Sequence, residues 1–422
     1  MKKIFILFRT LAVVFFFGSL FFSCSGNVNA VFDSHFTEDG YLIKDSANAV
    51  PAFTVQDPTN LKVYVEVSGS MNGFFRANQP TQFKTDVWRI LSYYSQLIPE
   101  VNVLTNDGNQ GMSIALPKFQ TMMNTGAFVS TASTKVPLML KTILDDLAEN
   151  PEGVAVLISD MKYSPVGSAA PKVLLTQYSS DISKLFGEAK QAVSLIGATS
   201  EYLDKKGNVV YDNSPYYFLV LGNQEKVASV RNCISTYLED SGHFIDNIET
   251  GFKFGSPTHS FGTSFMCDQI EDEPTFTSYE EHADGDTCSI KLKVNLENYR
   301  WILTDENVFN EALQVETTYG SSVKTKLVSM DVMNITNQKL DRKVVATVEL
   351  KLYNMPLEAE VIKWTLKLPD LNISRFGAYL GGDNEDDVTK SYSVDNFIVG
   401  MFQGGVVNKE MDYNYILVSK NY

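Results

Sequence analysis

The chain has 422 residues, 44% of them apolar, enough to fill the cores of two or three domains. Its formal charge of -15 argues against nucleic acid as a partner, because phosphate binding wants a basic surface. The acidity itself is that of a solvated surface and names no function.

The chain opens on Met1-Lys2-Lys3 with Arg9 close behind, followed by an almost wholly apolar stretch over 11–22. A basic start, a short apolar region and a small residue before a break describe a secretory signal peptide over 1–23. The stretch is shorter than the roughly 20 apolar residues that span a bilayer. Cys24 directly follows the small residue Ser23. That placement resembles the bacterial lipobox, in which the Cys is acylated and becomes the mature N-terminus. Phe21 stands where the pattern prefers Leu. The expectation is an exported lipoprotein held on the cell envelope through Cys24. An outer membrane facing the periplasm of a Gram-negative bacterium is the expected location, since no acidic cluster follows Cys24. Losing three basic and no acidic residues with the leader takes the charge from -15 to -18.

Residues 24–60 are polar and mixed and are expected to form a linker. From 61 onward strands and helices alternate. The run 61–67 is β-rich. Val87, Ile90, Leu91, Tyr94, Leu97 and Ile98 give a helical face over 83–98. A strand follows at 101–104. Val136, Met139, Leu140, Ile143, Leu144 and Leu147 mark a helix over 135–149, with Pro137 tolerated in its first turn. The apolar run 154–158 has the character of a strand covered on both faces. A helix near 172–189, a strand at 191–197, a strand at 216–221 and a helix carrying Val227, Val230, Ile234 and Leu238 complete the series. Such alternation implies an α/β domain over 61–250, a mostly parallel sheet with helices on both faces. Residues 251–287 are rich in Gly, Ser, Thr, Asp and Glu and are expected to be a linker or irregular segment. Over 288–422 the period changes to two: Ile290, Leu292, Val294 and Leu296, then Ile362, Trp364, Leu366 and Leu368, with strands also at 344–352 and 415–418. Half-buried alternating strands predict an antiparallel β-sandwich. Trp301 and Trp364 fall in those patterns as core residues. Cys233 lies on a helical face as a small buried residue. Cys267 and Cys288 flank a polar stretch and are candidates for a disulfide.

The first strand runs into Glu66-Val67-Ser68-Gly69-Ser70-Met71-Asn72-Gly73. In an open α/β sheet, ligands bind outside the carboxyl ends of the strands. One carboxylate and two hydroxyls, spaced two apart, offer the oxygen ligands that Mg²⁺ or another hard divalent cation prefers. The segment resembles the opening of the metal-ion-dependent adhesion site of von Willebrand factor A (VWA) domains. The resemblance covers roughly 61–245. It implies a VWA-like (Rossmann-like) fold in which Glu66, Ser68, Ser70, Thr134 and Asp160 hold the metal, with Thr131 an alternative to Thr134. Two positions depart from the pattern: Glu66 replaces Asp, moving the carboxylate by about 1.5 Å, and Met161 follows Asp160 in place of Gly. The implied activity is binding, not catalysis. An envelope or extracellular protein would be the partner, its own carboxylate completing the metal's coordination. A metal-dependent hydrolase and a structural envelope component with a degenerate site are the alternatives. Asp383, Glu385 and Asp387 lack the central Gly and terminal Glu of an EF-hand and belong to a solvated loop.

Overall fold

The computed structural model describes residues 53–104, 110–128, 135–163, 170–257, 259–261, 267–269, 276–280, 287–303, 305–334, 342–354, 359–369, 373–381, 386–405, 411 and 413–421. Among these, no helix is long and apolar enough to cross a membrane.

Seven strands form the first sheet: β1 (Leu61–Glu66), β2 (Glu100–Leu104), β3 (Gln110–Ala115), β4 (Val154–Ser159), β5 (Ala192–Leu203), β6 (Val209–Gly222) and β7 (Phe244–Thr250). Their spatial order is β3-β2-β1-β4-β6-β5-β7. The centre is parallel, β1 pairing with β2 and with β4. Toward both edges the pairing turns antiparallel, at β2–β3, β4–β6, β6–β5 and β5–β7. The sheet is therefore mixed, where alternation had predicted a mostly parallel one. The reason is the connection between β5 and β6. Parallel neighbours need a crossover of a dozen or more residues, and only 204–208 join these two strands. Asp204 Oδ1 accepts from the backbone of Lys206 and Asn208, and Gly207 sits at φ +86°, which closes a tight hairpin. The predicted crossovers exist, and the one through α1 joins the neighbours β1 and β2, but the later ones skip a strand: β4 and β5 run parallel on either side of β6, and β6 and β7 on either side of β5.

Side-chain alternation along the strands sends residues to two helical layers. Val63, Val65, Val156 and Ile158 share a core with α1 (Gln82–Tyr93), α2 (Leu116–Thr125) and α5 (Gln224–Ser241). Tyr64, Ala155 and Leu157 share the opposite core with α3 (Val136–Glu149) and α4 (Pro171–Ala189). Thr81 caps α1 and Asn223 caps α5, each side chain accepting from backbone N–H groups of the first turn. The helix predicted over 83–98 ends at Tyr93, ahead of Pro99. Strand β3 and helix α2 were not predicted. The helix carries a short apolar face at Leu116, Phe119 and Met123, all buried.

The remaining strands are β8 (His259–Phe261), β9 (Cys267–Gln269), β10 (Phe276–Glu280), β11 (Thr287–Asn295), β12 (Leu313–Thr317), β13 (Ser322–Asn334), β14 (Arg342–Tyr353), β15 (Ala359–Leu366) and β16 (Asn414–Asn421), with α6 (Glu306–Ala312) before β12. They build a five-stranded sheet, β12-β15-β16-β10-β9, and a four-stranded sheet, β13-β14-β11-β8. All pairings are antiparallel except β10–β16. Ile290, Leu292 and Val294 of one sheet and Ile362, Trp364 and Ile416 of the other enter a common core. Trp301 and Trp364 are buried. The interval 251–287 is not wholly a linker, since β8, β9 and β10 fall within it; strands of three to five residues leave too little periodicity to read. Nor is the preceding polar stretch wholly free of the core: Phe53 is buried against Phe252 and Phe254.

One helix departs from the expected division of the chain. α7 (Val394–Gly404) lies within the 288–422 interval, yet Val394, Phe397, Ile398 and Met401 are buried in the α/β core with Tyr178, Ile182 and Phe186 of α4. The two helices touch closely through small residues. A Cβ on Gly400 would come within 2.5 Å of the Ser179 carbonyl, and one on Gly404 within 2.2 Å of the Ser183 carbonyl. Cys233 is buried as expected. Cys288 is buried on β11, and the side chain of Cys267 lies outside the described residues, as do Cys24, Asp383 and Glu385.

Candidate functional site

The carboxyl ends of β1 and β4 lie side by side, paired up to Val65 and Ile158. Beyond β1, the Val67 N–H donates to the Leu104 carbonyl at 3.1 Å, extending the strand before the chain turns. Ser70–Gly73 then forms a single 3-10 turn, anchored by the fully buried Met71. This turn brings the Ser68 and Ser70 hydroxyls to 2.8 Å. Two adjacent ligands of an octahedral Mg²⁺ at about 2.1 Å stand roughly 3.0 Å apart, so the hydroxyl pair has the spacing of one ligand edge.

Beyond β4, Asp160 is 1% exposed. Its Oδ1 accepts from the Lys162 N–H at 3.2 Å. Its Oδ2 is buried and has no hydrogen-bond partner among the described residues. Buried carboxylate oxygens are rarely left so, because desolvation without a partner is costly. Met161 adopts φ +55°, the left-handed conformation that glycine takes most cheaply. The departure from Gly at this position thus leaves the backbone turn intact. Burial of the Met161 side chain in the α3–α4 core offsets the strain.

Glu66 is fully buried and is turned toward β4, where the Ser159 hydroxyl donates to its Oε2. Ser159 Oγ in turn accepts from the Met161 N–H at 2.7 Å. One carboxylate oxygen of Glu66 is thereby engaged with the neighbouring strand. The added methylene of Glu is taken up by this bond, which spacing along the chain could not reveal. Thr134 and Thr131 lie outside the described residues, just before α3. Of the five expected metal ligands, Glu66 ends β1 with Ser68 and Ser70 following it, and Asp160 directly follows the neighbouring strand β4. All are oxygen donors. No group of three or more His, Cys, Asp or Glu suited to a metal occurs among the described residues.

Two walls flank the rim. The first is the β5–β6 hairpin. The Tyr202 ring lies so close over Gly73 that a Cβ there would come within 2.4 Å of it. Burial, reinforced by the charge of Asp160, raises the Tyr202 hydroxyl above its ordinary pKa. The hairpin also holds the start of α1, where Glu201 accepts from the Gln82 N–H at 2.7 Å and Ser200 from the Phe83 N–H at 2.8 Å. The second wall is the segment leading into α7. The Lys162 ammonium donates to the Asp387 carbonyl at 2.7 Å, and Ser214 Oγ to the Val388 carbonyl at 2.6 Å. Phe376 stacks on Tyr217 at 6.1 Å. Asp387 itself accepts from the hydroxyl and N–H of Thr389, which hold its carboxyl below the usual range. The loop expected to be merely solvated therefore stands, at Asp387, beside the rim. Ser159, Tyr202 and Lys162 were not among the expected site residues, and no motif marks them. No family model matches the chain, and no curated protein matches it either.

Proposed function

We propose that this chain is an exported, lipid-anchored envelope protein whose α/β rim binds a divalent cation and, through it, a carboxylate of a protein partner. The reading rests on one observation above others: Asp160 Oδ2, a buried carboxylate oxygen with no hydrogen-bond partner among the described residues, stands just beyond β4, the strand paired with β1, whose end runs into the Ser68–Ser70 hydroxyl pair. A hard cation would supply the missing partner for Asp160. Ser68, Ser70 and Asp160 would be direct ligands, as the resemblance to VWA domains implies. Glu66, oriented by Ser159, would contribute charge to the rim. Thr134 would be the ligand from the α3 start. When bound, the ion would act as a Lewis-acidic anchor for an incoming carboxylate, and the chain's own groups would orient that ligand between the Tyr202 and Asp387 walls. The acylated Cys24 would tether the molecule to the membrane, where multiple acyl chains hold firmly.

Calorimetric titration of Mg²⁺ and Mn²⁺ into the ectodomain, with Ser70→Ala alongside, tests the site. Heat in the native chain and none in the variant is expected; no heat in either removes the metal. Radiolabelled palmitate incorporation that disappears in Cys24→Ala tests the anchor. A second reading draws on the Glu66–Ser159 bond, which commits part of the first carboxylate to the fold. On that reading the rim is degenerate and the chain is a structural envelope component, and the native chain would give no heat.

A further inference from the structure

A second concavity opens between α1 and α2, and none of the expected metal ligands lines it among the described residues. Its volume is about 500 Å³, within the range of sites that enclose small molecules. Lys84, Trp88 and Arg89 from α1 line it, with Gln120 and Asn124 from α2. Among the described residues no Asp or Glu lines it, although the chain as a whole carries a charge of -15. Lys84 is 6% exposed. Its ammonium donates to the carbonyls of Arg76 at 2.6 Å and Gln79 at 2.9 Å. An ammonium has three N–H donors, so one is left over. Burial pushes this group down to about 8, and desolvation is the cause. Arg89 is exposed, and its guanidinium forms no hydrogen bond or ion pair among the described residues. Two cations with donors to spare thus share one cavity with a half-buried indole.

We propose that this cavity binds a small organic anion, its carboxylate held by Arg89 and Lys84 and its apolar body lying against Trp88. A guanidinium matches a carboxylate with two parallel hydrogen bonds, and the anion supplies the charge that the buried ammonium lacks. The amides of Gln120 and Asn124 offer further polar contacts from the facing helix.

The test uses 2-naphthoate and its neutral analogue 2-naphthamide, titrated by calorimetry into the whole ectodomain with chelator present. Naphthoate should bind about tenfold tighter than the amide, the value of one charge-assisted hydrogen bond. Arg89→Gln should erase that preference; the residue is exposed, so the fold should survive, and Lys84→Met provides a second variant. Asp160→Asn should leave naphthoate binding unchanged, which separates this cavity from the rim. Equal binding of acid and amide, no naphthoate binding up to about 5 mM, or an unaltered preference in Arg89→Gln would each overturn the proposal.

Discussion

Asp160→Asn offers a direct physical test of the rim. The native side chain carries a negative charge with one buried oxygen unpartnered, and Asn keeps the Oδ1 acceptor for the Lys162 N–H while removing the charge. Without metal, the variant should equal the native chain in stability or exceed it by up to about 1 kcal/mol, because an uncompensated buried charge is lost. With Mg²⁺ the order should reverse. A ligand at a hundredfold excess over its Kd stabilises the folded state by about 2.7 kcal/mol. For a chain of this size that corresponds to a rise in Tm of about 3 °C. Thermal melts of both proteins, in chelator and in Mg²⁺, read the difference. The native Tm should rise and the variant's should not. A native Tm indifferent to Mg²⁺, or a variant that keeps the full rise, would refute the reasoning.

Three further outcomes concern groups that are not among the expected metal ligands. Glu360 is fully buried and accepts from the N–H groups of Thr318, Tyr319, Ser321 and Val361 and from the Ser321 hydroxyl. Glu360→Ala removes the acceptor for these donors, of which the Thr318 N–H keeps the Val361 carbonyl, and should lower stability by about 3–5 kcal/mol in urea unfolding, whereas a change below 1 kcal/mol would deny the carboxylate its role. Gly400→Ala forces α7 away from the Ser179 carbonyl, at a cost of about 1–3 kcal/mol. Amide exchange should quicken across 394–404 while β13 and β14 stay protected. Asp86 accepts from Gln82, Tyr216 and Tyr237, yet burial outweighs these bonds and raises its carboxyl above the ordinary range. A native pKa above the unfolded value of about 3.9 means that the folded state holds the proton more tightly. Its contribution to stability is therefore full below that value and is lost as pH rises through the native pKa. The stability difference between the native chain and Asp86→Asn should shift against the native chain over that window in urea titrations. A difference that is flat with pH would contradict the raised value.

Much of the architecture was legible because hydrophobic period encodes which faces are covered. β1, β4, α3 and α5 were readable from runs and helical stripes, and the strands of the sandwich from alternation. Ser68, Ser70 and Asp160 were readable as polar groups at strand ends because their spacing and their places after apolar runs are properties of the chain itself. Other features depend on contacts between distant segments. An apolar stripe at Val394, Phe397, Ile398 and Met401 says that a helix will be buried but not against what; packing on α4, through Gly400 and Gly404, decided that. The hairpin that reverses β6 depends on a turn of five polar residues with no apolar period of its own. Glu66 shows the division most clearly. Its type and position announced a carboxylate at the rim, but the hydroxyl of Ser159, 93 residues away, decides where that carboxylate points. Local pattern determines what a segment can form, and hydrogen bonds across the folded chain determine what its side chains face.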